Sequence, residues 1–251
     1  MKLLITGGSS DISQALTKRR LKMGDQVIIT ASTDKSLKET LKVYQDAGLK
    51  VTGLVFDLAD PSASKTDLEA LLEKGLDGVI LNAASRVTQL RRFHENAEKQ
   101  FDAYVSENIL GNTWLLRQVL PSMIENKFGR LVFISSISAV TGMSKYGAYC
   151  LSKAAIEGLF FNLAVDYAES GILCNIVRPG IIKTSRTRRF WKNEEYVTRA
   201  RRIIPQDALG EPDQVAEVLD PLLSKTSYMN GSVITVSGGL PLIRTHGATE
   251  P

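Results

Sequence analysis

The chain has little of what several kinds of protein are built on. It holds two cysteines in 251 residues, Cys150 and Cys174. Their spacing fits neither a metal site nor a disulfide framework, so reduced thiols and no bound metal are expected. Neither sign of charge dominates: 31 Lys and Arg stand against 27 Asp and Glu, a formal net charge of +4. That balance gives no global drive toward nucleic acid or an anionic membrane surface. No apolar run reads as long enough to span a membrane. Strand-like residues begin at Lys2, leaving no room for a signal peptide. Repeats, linkers and low-complexity segments are also missing. The expectation is a cytoplasmic protein with no nucleic-acid or membrane partner.

What is present is a chain of 43% hydrophobic residues, suited to one large α/β domain. The stretch from Leu131 to Lys153 organises it. Leu131-Val132-Phe133-Ile134 is long enough for a buried strand, two serines follow, and a helix-like segment starts near Gly147. On that helix Tyr149 and Lys153 are four residues apart and share a face. By itself such a pair is most often an amphipathic helix with a snorkelling lysine. Ser136 at the strand's mouth and a glycine-rich turn at the other end of the domain change the reading. A phenol, an ammonium and a hydroxyl together can move a proton to or from a substrate oxygen.

This arrangement resembles the short-chain dehydrogenase/reductase family, whose pattern is a Ser followed by Tyr-x-x-x-Lys on the next helix, here Ser136 and Tyr149-Cys150-Leu151-Ser152-Lys153. The pattern is closest to the 3-oxoacyl-(acyl-carrier-protein) reductases of that family. The resemblance runs from residue 2 to 239, with the tail 240–251 outside it. It implies a single Rossmann-type domain over 1–251, a doubly wound parallel sheet, and hydride transfer between a nicotinamide cofactor and a carbonyl or alcohol. It further implies Tyr149 as acid and base, and Lys153 lowering the Tyr149 pKa while holding the nicotinamide ribose. Ser136 would orient the substrate oxygen, and Asn108 would hold a water that relays protons from Lys153.

Lys2–Thr6 reads as a strand, Gly7-Gly8-Ser9-Ser10 as a tight turn and Asp11–Met23 as a helix, the opening of a dinucleotide-binding unit. The family's glycine pattern is altered, because Asp11 and Ser13 replace two glycines. Asp11 reads as the helix N-cap, but its carboxylate would weaken phosphate binding unless it points away. The second strand ends Thr30-Ala31-Ser32-Thr33, without the carboxylate that selects NAD. Ser32, Thr33 and Lys35 could receive a 2′-phosphate instead, so NADP is favoured over NAD.

Asp57 matches the residue the family sets beside adenine, and reads equally well as a turn residue before a helix. Asn82-Ala83-Ala84 resembles the family's Asn-Asn-Ala-Gly, and Pro179-Gly180-Ile181-Ile182-Lys183-Thr184 its Pro-Gly-x-x-x-Thr. The implied cofactor residues are therefore Gly7, Ser9, Ser10, Ile12, Ser32, Thr33, Asp57, Leu58, Asn82, Ala83, Ala84, Tyr149, Lys153, Pro179, Gly180, Ile182 and Thr184.

A helix over 95–125, broken around Asn108–Gly111, and an apolar helix over 147–169 resemble the family's four-helix interface and imply a homodimer or homotetramer. Residues 185–205 form a substrate lid in which Arg186, Arg188, Arg189, Lys192, Arg199, Arg201 and Arg202 outnumber Glu194 and Glu195. This is either a solvated face or a basic lip that attracts an acidic carrier, extended by Lys127 and Arg130. Three functions stay open. The first is reduction of a β-ketoacyl thioester in fatty-acid or polyketide-type biosynthesis. The others are a small-molecule alcohol or secondary-metabolite dehydrogenase, and a catalytically retired reductase kept as a binding or regulatory module.

Overall fold

The computed structural model of the protein describes residues 1–85 and 90–242. Seven strands make one sheet: β1 (Lys2–Ile5), β2 (Gln26–Ala31), β3 (Thr52–Val55), β4 (Gly78–Leu81), β5 (Gly129–Ile134), β6 (Ile172–Pro179) and β7 (Val233–Val236). Their order is β3-β2-β1-β4-β5-β6-β7, with every pairing parallel. This is the doubly wound plan expected from the sequence, and β7 closes it as the last strand.

Mainly apolar runs specify these strands because helices cover both faces of the sheet. Alternation along β1 divides the core: Leu4 faces one cluster, while Leu3 and Ile5 face the other. Over the Leu3 face lie α1 (Asp11–Lys22), α2 (Asp34–Asp46), α9 (Pro212–Glu217) and α10 (Leu219–Leu223). Over the Leu4 face lie α3 (Lys65–Leu72), α5 (Asn112–Glu125) and α6 (Gly147–Asp166), and α4 (Glu98–Val105) packs against α6. Two short helices, α7 (Arg188–Trp191) and α8 (Glu194–Ile203), lie between β6 and α9.

Several boundaries differ from the sequence reading. The apolar helix stops at Asp166, and Ala168–Ser170 form a separate 3₁₀ turn. The helix expected over 95–125 is α4 and α5 joined by a π-helical segment, Ser106–Gly111, at the predicted break. One α6 property corrects the reading that no segment is of membrane-spanning length. Among the described residues, α6 alone is long and apolar enough to cross a membrane by length and composition. It carries Lys153 and Glu157, however, and packs Ile156, Phe160 and Leu163 into the core. Cys174 is also enclosed, and burial pushes its thiol up to about 12, which keeps it protonated and inert. Among the described residues no group of His, Cys, Asp or Glu is arranged to hold a metal ion.

Two sequence expectations about cations are corrected here. Arg130 is buried and does not extend a basic lip. Its guanidinium donates to the carbonyls of Gly129, Gly171, Ser224 and Lys225 and stacks on Phe128. Arg201 pairs with Asp207 and Arg199 with Glu195, so part of the 185–205 charge is balanced locally.

The π-helical segment presses Gly111 against the chain after β3. A Cβ at Gly111 would overlap the Leu58 carbonyl and come within 2.9 Å of its Cα. Gly111→Ala is therefore expected to destabilise the fold by about 1–3 kcal/mol, the usual cost of overpacking. Urea denaturation monitored by circular dichroism would check this, and an unchanged midpoint would contradict the close approach.

Candidate active site

The sheet's strand order reverses between β1 and β4, and the loops leaving the carboxyl ends of these strands open a crevice. That crevice is a groove of about 640 Å³. One wall is the turn after β1. Gly7 has φ +70°, and a Cβ on it would press within 3.1 Å of Ala83 Cα, so only glycine brings this turn so close to the end of β4. The helix that follows directs its N-terminal N–H groups and positive dipole end at the groove.

The capping differs from expectation. Ser10 is the N-cap of α1, its hydroxyl accepting from the Ser13 N–H at 3.1 Å. Asp11 occupies the first helical position, and its carboxylate accepts from the Ser185 N–H at 2.8 Å and the Ser185 hydroxyl at 2.7 Å. The charge that would oppose phosphate is thus tied to the lid segment. Ser13, the other departure from the glycine pattern, also gains a role. The Asn82 side-chain amide donates to Ser10 at 2.7 Å and to Ser13 at 2.8 Å, joining the glycine turn to the end of β4.

Of the predicted cofactor residues, Gly7, Ser9, Ser10, Ile12, Ser32, Asp57, Leu58, Asn82, Ala83, Ala84, Tyr149, Lys153, Pro179, Gly180, Ile182 and Thr184 all line the groove. Thr33 does not. It is the N-cap of α2 in a reciprocal capping box with Ser36, and Ser36 lines the groove in its place. Asp57 combines both readings given above: it lines the groove and also accepts from the Ala59 N–H at 3.1 Å as a turn residue.

Ser136, Tyr149 and Lys153 converge at the opposite end. Ser136 caps a 3₁₀ turn, Ile137–Ala139, which fixes its hydroxyl beside Ser138. Lys153 is 7% exposed, and its Nζ donates to the Ile134 carbonyl at 2.8 Å. Burial, reinforced by the Arg186 charge, brings its pKa down to about 7, with Glu157 pulling weakly the other way. Tyr149 does not follow the expectation of a lysine-lowered pKa. Burial raises it, while Ser136 and Arg186 draw it down. Lys153 Nζ is 5.9 Å from the Tyr149 ring centre.

Asn108 lies behind the groove wall. Its side chain accepts from the Ser85 N–H at 2.9 Å and donates to the Tyr104 carbonyl at 2.8 Å. Both ends of the amide are engaged by backbone, and these contacts orient the wall.

Sequence reasoning missed the group behind Lys153. Glu157, one turn further along α6, is buried and accepts from Ser135 at 2.5 Å and from Arg178 at 2.9 and 2.5 Å. A carboxylate four residues after the lysine was the available signal. Arg186, which the sequence places in the basic lip, has a more definite position. It lines the groove and donates to the Ala84 carbonyl at 2.9 Å.

These residues fit a dinucleotide: a glycine turn at a helix N-terminus midway, polar and apolar residues from β2 and β3 at one end, and a proton-transfer set at the other. The low Lys153 pKa carries a sign that can be tested. The unfolded lysine keeps its proton up to about 10.4, so between about pH 7 and 10.4 the unfolded state binds more protons and stability rises with pH. Lys153→Met abolishes that slope. Its stability relative to wild type should be most favourable near about pH 6.5 and decline toward about pH 9.5; a difference constant with pH would refute the shift.

Comparison with known proteins agrees with this geometry. The short chain dehydrogenase family model matches residues 2–195. The chain is 33% identical over 243 residues to a 3-oxoacyl-(acyl-carrier-protein) reductase of Rickettsia conorii, covering 96% of both chains. It is 28% identical over 246 residues to a tropinone reductase homolog of Arabidopsis thaliana, covering 96% of this chain and 76% of that one. Among solved structures, levodione reductase superimposes with a TM-score of 0.85 at 27% identity, covering 95% of this chain and 96% of the other. With the doubly wound sheet, the glycine turn and the Ser136–Tyr149–Lys153 convergence, these matches make the chain a member of the short-chain dehydrogenase family of oxidoreductases.

Proposed function

We propose that the protein is an NADP-linked ketoreductase that interconverts a ketone and a secondary alcohol, with Tyr149 as the proton donor and acceptor. The observation that carries this is the meeting of Ser136, Tyr149 and Lys153 at one end of a groove whose middle is the Gly7 turn. Bound nicotinamide would supply or accept the hydride. In the reductive direction the Tyr149 phenol gives its proton to the carbonyl oxygen as that oxygen gains charge, and in the oxidative direction the phenolate takes it back. The Ser136 hydroxyl holds the same oxygen in place. Lys153, anchored on the Ile134 carbonyl, stands where it can return a proton to Tyr149 and reach the nicotinamide ribose.

NADP is preferred over NAD because β2 is followed by Ser32 and no carboxylate from that end lines the groove before Asp57. Ser32 and Ser36, at the N-terminus of α2, suit a 2′-phosphate.

Two substrate readings have support. Similarity to the Rickettsia reductases favours a β-ketoacyl thioester on an acyl carrier protein, in a cytoplasmic biosynthetic route, with Arg188, Arg189 and Lys192 as a basic lip. The position of Arg186 inside the groove favours a small-molecule ketone. A retired binding module would have no need of the complete proton-transfer set. The exposed apolar side chains on α6, Leu151, Phe161 and Val165, suit a second copy of the chain, giving a dimer or tetramer.

Absorbance of NADPH at fixed ketone concentration tests the reading. Wild type should consume NADPH with a β-ketoacyl thioester or a small ketone, and Tyr149→Phe should lower kcat by about 10²–10⁴-fold with dinucleotide binding largely kept. Wild-type turnover in that variant would remove Tyr149 from the role. Ser32→Asp sets a carboxylate beside the 2′-phosphate and should shift the kcat/KM preference from NADPH toward NADH. A wild-type protein already faster with NADH would overturn the NADP assignment.

A further inference from the structure

The proton transfer proposed above needs Ser136, Tyr149 and Lys153 in one mutual geometry. They come from two places in the chain, however: Ser136 follows β5, while Tyr149 and Lys153 stand on α6. Between them Gly142 to Lys145 are exposed, so the connecting loop does little to fix one against the other. The anchoring falls to side chains that pass from α6 to the sheet. Lys153 and Glu157 do so, one helical turn apart. Lys153 Nζ donates to the Ile134 carbonyl at 2.8 Å, and the Glu157 carboxylate accepts from the Ser135 hydroxyl at 2.5 Å. The helix thus grips the end of β5 at the two residues directly before Ser136.

Glu157 makes a further contact that Lys153 does not. Its Oε1 also accepts from Arg178 Nε at 2.9 Å, and its Oε2 accepts from an Nη of the same guanidinium at 2.5 Å. The pair is two-pronged and so fixes direction as well as distance. Arg178 stands on β6 immediately before Pro179 and Gly180, which line the groove. One carboxylate therefore joins the helix bearing Tyr149 to the ends of both β5 and β6. Glu157 itself is buried behind Ser135 and does not line the groove. It acts on substrate or cofactor only through the residues it holds.

We infer that Glu157 is a positioning residue: its clamp on Ser135 and Arg178 sets α6 against the ends of β5 and β6, and so places Tyr149 and Lys153 relative to Ser136. The inference rests on the ketoreductase reading and adds a residue to it. Stability alone is a weak reason for such a pair, since apolar residues of similar volume often replace both partners of a buried ion pair without loss. An apolar pair would fill the same space but would make no directed bond to Ser135.

Three variants of the full-length protein test this: Ser135→Ala, Glu157→Gln, and the double variant Glu157→Leu with Arg178→Leu. Each is compared with wild type in thermal midpoint by circular dichroism and in NADPH binding by fluorescence titration. Kinetics use NADPH with the faster of two ketone probes, acetoacetyl-coenzyme A and cyclohexane-1,2-dione. The double variant removes both charges together and should keep its fold and its NADPH binding. Its kcat should nevertheless fall by roughly 10- to 10²-fold, the cost of a displacement of about 1 Å among reacting groups. Ser135→Ala leaves the ion pair whole and should lower kcat by a smaller factor, with KM little changed. Wild-type kcat in a folded double variant would make Glu157 a stability element and overturn the inference. If the double variant does not fold, Ser135→Ala decides, and wild-type kcat there overturns it equally.

Hydrogen exchange read by mass spectrometry follows the positioning without turnover. In Glu157→Gln, peptides over 134–142 and 147–153 should exchange faster than in wild type, while those over β1 and β2 should not. Unchanged exchange in the first set, or equal acceleration in both, would overturn the inference. A wild type that reduces neither ketone would bring down the ketoreductase reading, and the exchange pattern would still decide whether Glu157 holds α6 to β5.

Discussion

A parallel sheet covered by helices on both faces can open to solvent only where its strands end. Strands β1, β4 and β5 are buried on both sides, so their flanks offer no room for a ligand. The crevice arises where the order turns between β1 and β4, because the helices following those strands pass to opposite faces and leave the loops apart. Everything proposed for function hangs on this constraint. It brings the turn after β1, the loop after β4, the serines after β5 and the Pro179 loop after β6 to one edge.

Electrostatics at that edge is set by what stands behind each group as much as by what faces it. Lys153 gives up hydration for a position against the Ile134 carbonyl, and burial lowers its proton affinity accordingly. The buried Glu157 beside it does not simply compensate, because Arg178 and Ser135 already engage that carboxylate. Those partners offset much of its field at the lysine. The phenol of Tyr149 is left under burial on one side and the pull of Ser136 and Arg186 on the other.

The two departures from the family's glycine pattern illustrate how a local irregularity is absorbed. Ser13 would be only an enlargement of a helix–sheet contact if nothing met it; in the fold its hydroxyl receives the Asn82 amide. Asp11 would place a negative charge at a phosphate site if it turned inward; instead Ser185 holds it from the far side of the groove, 174 residues later in the chain. That same contact stretches the lid segment across the crevice and helps to carry Arg186 inside.

The sequence by itself determined the strands, the helices over the core and the residues gathered at the groove. Apolar runs, 3.6-residue periodicity and the Ser136, Tyr149 and Lys153 spacing are local properties that survive being read one segment at a time. The tertiary structure alone decided which of several equivalent side chains does what. Seven cations in 185–205 are alike as sequence, yet only Arg186 enters the groove, because pairing across the sheet fixes where its turn sits. Arg130 reads as another surface cation until β5 is flanked by the loops that supply three carbonyls to it, beside that of Gly129 in the strand itself. Thr33 and Ser36 are interchangeable hydroxyls until they bond each other in a capping box whose backbone path sets Ser36, not Thr33, at the crevice. In each case the deciding partner is distant in the chain or set by the local backbone path. No spacing rule carries that information.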